Sequence, residues 1–149
     1  MQNVFLGFGS NLGDRSGNIN KAIVLLGKID GVVIDKVSSI IETEPVEAPG
    51  PNYLNAVVKI KTVLEPECLL SRLQKIETTM GRRRSFKNAP RTIDIDLLLY
   101  GDRIIRDRHV VVPHPLMCRR EFVMAPLKEI EPEAAGLARR LLNVEINPQ

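Results

Sequence analysis

The sequence predicts an α+β fold of the ferredoxin-like kind, an antiparallel sheet with a βαββαβ core, an added edge hairpin and C-terminal helices. Three observations predict it. Apolar residues alternate between period two and period 3.6 in the order strand, helix, strand, strand, helix, strand. Glycine- and proline-rich turns separate these segments at short intervals. The 149 residues, 44% apolar and 26% charged, suit one domain, residues 1–149, with a core of its own and no room for a second catalytic domain.

Val4 to Gly9 reads as a buried strand, and Ile19, Ala22, Ile23 and Leu26 then recur at helical spacing up to a stop at Gly27 or Gly31. Between them lies Gly7-Phe8-Gly9-Ser10-Asn11-Leu12-Gly13. Its spacing is GxGxxxG, not the GxGxxG of a dinucleotide fingerprint, so its expected role is a tight strand-to-helix turn with Ser10 or Asn11 near the cap. Val32 to Ile41 is β-branched and strand-like. The turn-rich stretch Thr43 to Asn52, with Pro45, Pro49, Gly50 and Pro51, is long enough to be functional, and Tyr53 to Thr62 resumes strand character with Ala56, Val58 and Ile60 on one face. Pro66 suits the first turn of a helix whose stripe is Leu69, Leu73, Ile76 and Met80, with Gly81 at its C-terminal cap. Thr92 to Tyr100 is the most hydrophobic strand. Gly101-Asp102 is a turn, Ile104-Ile105 and Val110 to Val112 form a short edge hairpin closed by Pro113, and helices follow around Phe122 to Ile130 and Ala135 to Leu142.

Class markers are mostly negative. Cys68 and Cys118 lack CxxC spacing, and with only His109 and His114 beside them there is no zinc or iron-sulfur ligand set, so reduced or buried thiols are expected. The start has no basic leader and no apolar run of membrane length, which predicts a cytoplasmic protein without a membrane partner.

Net charge is only +3, but it is unevenly spread. Residues 81–120 carry ten basic side chains against four acids, while the rest of the chain carries eleven against fourteen. Nine of those ten are arginine, the side chain matched to bidentate contact with phosphate, which indicates an anionic ligand, the alternative being a merely solvated basic face. Inside this segment stands Asp94-Ile95-Asp96. Residues two apart on a strand share a face, so both carboxylates converge while Ile93, Ile95 and Leu97 fill the other side. Like charges placed so close call for a cation, either Arg91 in a structural ion pair or a hard metal such as magnesium. A carboxylate pair beside arginines suits transfer from a nucleoside triphosphate, and the absence of GxxxxGK[ST], HRD and DFG sets excludes P-loop enzymes and protein kinases.

The run Lys87-Asn88-Ala89-Pro90-Arg91-Thr92-Ile93-Asp94-Ile95-Asp96-Leu97-Leu98 resembles the signature of the 6-hydroxymethyl-7,8-dihydropterin pyrophosphokinases of folate biosynthesis. Supporting stretches, in family order along the chain, are Leu6 to Gly13, Asn52 to Ala56, Gln74 to Arg84, Val112 to Pro115 and Arg120 to Val123. The resemblance implies magnesium-dependent transfer of pyrophosphate from ATP to the pterin hydroxymethyl group, with AMP released, two Mg2+ ions and a ferredoxin-like fold. It implies Asp94 and Asp96 as metal ligands and Arg82 and Arg91 as the grip on the phosphates in the transition state. Gln74, Glu77, Arg84, Arg91, His114 and Arg120 would line the nucleotide side. The pterin would lie between Tyr53 and Phe122, with Asn55 reading its edge and Thr43 adding a polar contact.

Taken without the resemblance, Glu77 is an exposed helix acid and His114 a local structural residue between two prolines. The sequence also departs from the family pattern. It has no tryptophan before the Pro-Arg step, where Phe86, Lys87 and Asn88 stand, and His109 and Val111 replace the arginine and threonine of some relatives. The expected partners are the two small substrates, with no nucleic acid, and the chain is expected to be a monomer. Carboxylates and arginines alone also suit another two-metal nucleotidyl- or phosphoryl-transferase, or a basic ferredoxin-like RNA-binding module, though the latter would need an aromatic RNP signature the chain lacks.

Overall fold

The computed structural model describes residues 1–44, 50–81 and 91–146. Two strand-helix-strand units interleave in one sheet. The first runs β1 (Gln2–Ser10), α1 (Arg15–Gly27), β2 (Val32–Val37); the second runs β4 (Tyr53–Thr62), α2 (Pro66–Thr79), β5 (Asp94–Tyr100). The strand order is β2-β4-β1-β5, so each unit's two strands are separated by one strand of the other, and every neighbouring pair is antiparallel. The architecture is α+β, as expected from the alternating periods.

The segment read as one strand over Val32 to Ile41 is broken. β2 ends at Val37, and β3 (Ile41–Thr43) resumes pairing further along β4. Ser38 explains the break: its backbone N–H donates to the Val57 carbonyl at 2.9 Å, but its hydroxyl accepts from Val57 N at 2.8 Å. A side-chain oxygen thus takes the place of a ladder carbonyl, which is how serine competes with regular pairing.

The sheet is covered on both faces. Val4, Leu6 and Phe8 of β1, Ala56, Val58 and Ile60 of β4, and Ile93, Ile95 and Leu97 pack with α1 and α2 in one core. The other face, with Phe5, Val57, Leu98 and Leu99, packs on α3 (Glu121–Ile130) and α4 (Pro132–Ile146), preceded by a 3-10 turn at Met117–Arg119. The C-terminal helix is thus longer than its Ala135 to Leu142 stripe suggests, because Pro132 opens it at a position where a missing N–H costs nothing. The edge hairpin is reduced to β6 (Ile105–Arg106) and β7 (Val111–Val112). Cys68 is exposed and Cys118 half-buried, and both are free thiols. Among the described residues, no helix is long and apolar enough to cross a membrane.

The glycine-rich start differs from its expected role. Gly7 and Gly9 lie inside β1 and only Gly13, at φ 74°, takes the left-handed turn conformation. The helix cap is Asp14, which accepts from Gly17 N at 3.2 Å; Ser10 and Asn11 are not caps.

Candidate active site

Period two places the site. Gly7 and Gly9 of β1, Tyr53 and Asn55 of β4, and Asp94 and Asp96 of β5 all point to the sheet face carrying α3, at the end of the sheet that helix leaves open. They line a cleft of about 790 Å³, within the range of small-molecule sites, whose far wall is Leu116, Arg119, Arg120 and Phe122. A second cleft, of about 270 Å³, is lined by Gln74, Glu77 and His114. Arg91, Asp94 and Asp96 border both, so the carboxylates stand where the two clefts meet.

In the larger cleft the amide of Asn55 is buried and donates from Nδ2 to Thr43 Oγ1 at 2.7 Å. Thr43 therefore orients Asn55, keeping its own hydroxyl proton to donate elsewhere. Gly9 lies beneath this amide: a Cβ there would stand 3.2 Å from Asn55 Oδ1 and 3.4 Å from the Tyr53 ring. Tyr53 and Phe122 both line the cleft, and the Arg120 guanidinium lies 5.6 Å from the Phe122 ring centre. Arg120 thus borders the larger cleft, not the one holding Gln74, Glu77 and His114 as its expected grouping would have it.

At the junction, Arg91 Nη1 pairs with Asp94 Oδ1 at 3.0 Å, so the arginine partner suggested by the sequence is real for Asp94. Burial, and then the adjacent Asp94, push the Asp96 carboxyl up to about 7 against the pull of Arg120 and Arg91. Glu77 is buried, not the exposed acid its helix position suggested, and its Oε2 accepts from Ile95 N at 2.8 Å. It thereby fixes the backbone between the two aspartates. His114 Nδ1 accepts from Leu116 N at 3.2 Å, which leaves the ring proton on Nε2. Burial and Arg120 lower its pKa to about 4, so it is a neutral donor at physiological pH. Among the described residues no cluster of three or more His, Cys, Asp or Glu could hold a metal. Arg82 and Arg84 lie outside the described residues, as do Phe86, Lys87 and Asn88.

Asn11 is a residue the sequence reading did not place here. Its Oδ1 accepts from Arg91 N at 2.7 Å and its backbone N donates to Arg91 O at 3.1 Å, tying the end of β1 to the arginine. Gly7 and Gly9 carried a usable signal, since glycines two apart in a strand open one face; Asn11 carried none beyond its turn-prone neighbours.

Residues 5–132 match the model of a family described as 7,8-dihydro-6-hydroxymethylpterin-pyrophosphokinase (HPPK). The chain belongs to this family. An HPPK of Aquifex aeolicus, 2-amino-4-hydroxy-6-hydroxymethyldihydropteridine pyrophosphokinase, is 46% identical over all of this chain and 92% of its own length. The Bacillus subtilis enzyme of the same name is 44% identical over 87% of this chain and 79% of its own. Solved structures share the fold at low identity: an HPPK-DHPS in complex with substrates superposes with TM-score 0.72 at 15% identity, over 97% of this chain. The HPPK-DHPS of Plasmodium falciparum gives 0.69 at 14%, over 99%. This chain spans less than half of either, 43% and 45%.

Proposed function

We propose that residues 1–149 form a single pyrophosphokinase domain that transfers pyrophosphate from ATP to the hydroxymethyl group of 6-hydroxymethyl-7,8-dihydropterin, in folate biosynthesis. The observation that carries this reading is the carboxylate pair at the junction of two clefts, one with aromatic and amide walls and one with neutral and acidic polar groups. The pterin occupies the larger cleft, its flat ring between Tyr53 and Phe122 and its edge read by Asn55, which Thr43 holds in orientation. ATP occupies the smaller one, near Gln74, Glu77 and the Nε2–H of His114, and its phosphates extend over Asp94 and Asp96 to Arg91 and Arg120. Arg82 and Arg84 join them from the basic segment.

Pyrophosphoryl transfer with AMP as product fixes the bonds. The hydroxymethyl oxygen bonds to the β-phosphorus, the bond from that phosphorus to the oxygen shared with the α-phosphorus breaks, and the hydroxyl proton leaves to solvent. Arg82 and Arg91 neutralise the charge that grows on the transferred oxygens, the largest contribution a protein makes to such a reaction. The aspartates suit magnesium: both are hard oxygen donors on one strand face, and Asp96 is held in its charged form only at a cost that a cation relieves. When bound by Asp94 and Asp96, two Mg2+ ions supply charge neutralisation along the phosphate chain. Magnesium takes one or two carboxylates together with phosphate and water, so a third protein ligand is not required.

The ferredoxin-like type is the finer reading of the strand order, supported by the two interleaved units. The chain is read as a cytoplasmic monomer without nucleic-acid partners. Product analysis tests the activity: with ATP, Mg2+ and the pterin, the expected products are AMP and pterin diphosphate. ADP or free pyrophosphate in their place would indicate another transferase, and no pterin diphosphate at all would refute the proposal.

A further inference from the structure

We infer that Asn11 is a positioning residue for the transfer, holding Arg91 on station between the two clefts. The inference rests on the reading of Arg91 as a phosphate ligand in the transition state. Asn11 is 2% exposed and follows the last residue of β1. It takes up both backbone polar groups of Arg91: Oδ1 receives the N–H at 2.7 Å and the Asn11 N–H donates to the carbonyl at 3.1 Å. Its remaining donor, Nδ2, reaches the Pro51 carbonyl at 3.3 Å. One buried amide therefore joins three residues that lie just beyond the ends of the β1–β4 and β1–β5 ladders.

Arg91 is consequently held at two points, its backbone by Asn11 and its guanidinium by Asp94 at 3.0 Å. The Asp94 contact alone fixes a direction, because a long flexible side chain reaches one carboxylate from many backbone positions. The Asn11 contact fixes the origin of that side chain against β1, whose Gly9 pairs in register with both Asn55 and Asp94. Acceptor reader, carboxylate and arginine are thereby referred to the same strand. Asn11 lines neither cleft itself, whereas Arg91 lines both, so Asn11 acts through Arg91. Misplacing a charge-stabilising group by about 1 Å costs on the order of 100-fold in rate while leaving ground-state binding nearly unchanged.

A double-mutant cycle of Asn11→Ala and Arg91→Ala, with kcat and KM for both substrates, tests this. In the parent chain Asn11→Ala is expected to lower kcat roughly 10- to 100-fold with KM within about threefold. In the Arg91→Ala background, where the backbone N–H remains but no guanidinium is left to aim, the same substitution is expected to cost less than about threefold. Equal losses in both backgrounds would show a merely structural role and overturn the inference, as would an unchanged kcat for Asn11→Ala beside an impaired Arg91→Ala. An Arg91→Ala enzyme as active as the parent would instead refute the role assigned to Arg91 and remove the inference with it. Asn11→Asp keeps an oxygen facing the Arg91 N–H and should regain most of the lost kcat; a variant as slow as Asn11→Ala contradicts the assignment to that bond. If Asn11→Ala does not fold, Asn11→Ser carries the same cycle with the same expected and overturning results.

Discussion

Gly9→Ala separates what the strand needs from what the cleft needs. The added Cβ would lie 3.2 Å from Asn55 Oδ1, tighter than carbon usually settles against an oxygen, and in ordinary contact with Tyr53 Cδ1 at 3.4 Å. The amide cannot simply turn aside, because Thr43 Oγ1 holds its Nδ2 at 2.7 Å. Relief therefore comes as a shift of a few tenths of an ångström in Asn55, beside the Tyr53 ring. That displacement weakens about one hydrogen bond to a bound pterin, ~1 kcal/mol, or roughly five- to tenfold in Kd. Folding should not suffer equally, since alanine loses less backbone entropy than glycine on entering a strand, an offset of about 0.5–1 kcal/mol. Gly7→Ala is the control on the same strand face: the nearest atoms to its Cβ would be those of the Leu98 side chain, at 3.5 Å or more, an ordinary contact. Isothermal titration with the pterin, alongside urea unfolding, measures both quantities. A Gly9→Ala protein that binds pterin as tightly as the parent, or one whose stability falls by several kcal/mol while Gly7→Ala is neutral, would refute the placement of Asn55 over this glycine.

Asp96→Asn should abolish transfer yet stabilise the metal-free protein at pH 8. A carboxyl raised from 3.8 to about 7 keeps its proton longer in the folded state, so the folded protein loses stability as pH rises from about 4 through 7. The shift alone corresponds to ~4 kcal/mol, but the side chain opens on the cleft and water screens part of it, leaving roughly 1–2 kcal/mol. Urea unfolding in EDTA should show that gain at pH 8 and little difference at pH 4; a less stable variant at pH 8 contradicts it. Lys59→Ala removes a cation only 8% exposed that donates to Glu131 at 2.6 Å and pairs with Asp35 at 3.4 Å. It should cost ~2 kcal/mol in the same assay, and an unchanged midpoint would show the cluster to be inert. The hydrogen bond to Glu131 raises the Lys59 pKa above 10.5, so its contribution is complete below that pH and is lost only as pH climbs through the raised value.

Much of the fold was legible because hydrophobic period survives folding unchanged. Tyr53 to Thr62 is a strand over its full predicted length, with Ala56, Val58 and Ile60 in the core as their alternation requires. The carboxylates were legible for the same reason, since residues two apart on any strand share a face. What escaped are features that depend on partners distant in sequence. Ser38 breaks a β-branched run by bonding to Val57, 19 residues on. Asn11 looked like a local cap, yet its partner is 80 residues away. Glu77 read as a surface acid because nothing around it in the sequence shows that Ile95 N needs an acceptor. Helical periodicity marks a stripe, and a polar residue at its border is placed only when the neighbouring strand is known.

The register around Gly9 has a further consequence. This residue pairs with Asn55 on one side and Asp94 on the other, so the two lie across the same strand in a single row. Strand spacing sets their backbones about 10 Å apart, and no side-chain adjustment alters that interval. Substrate recognition and phosphate chemistry thus share one fixed gauge. A one-residue insertion in β1 ahead of Gly9 would not weaken one function gradually; it would turn Gly9 to the opposite face and put a different β1 residue between Asn55 and Asp94, disturbing both ends of the row at once. Insertions for engineering belong instead near the β6–β7 hairpin, which pairs with none of these strands.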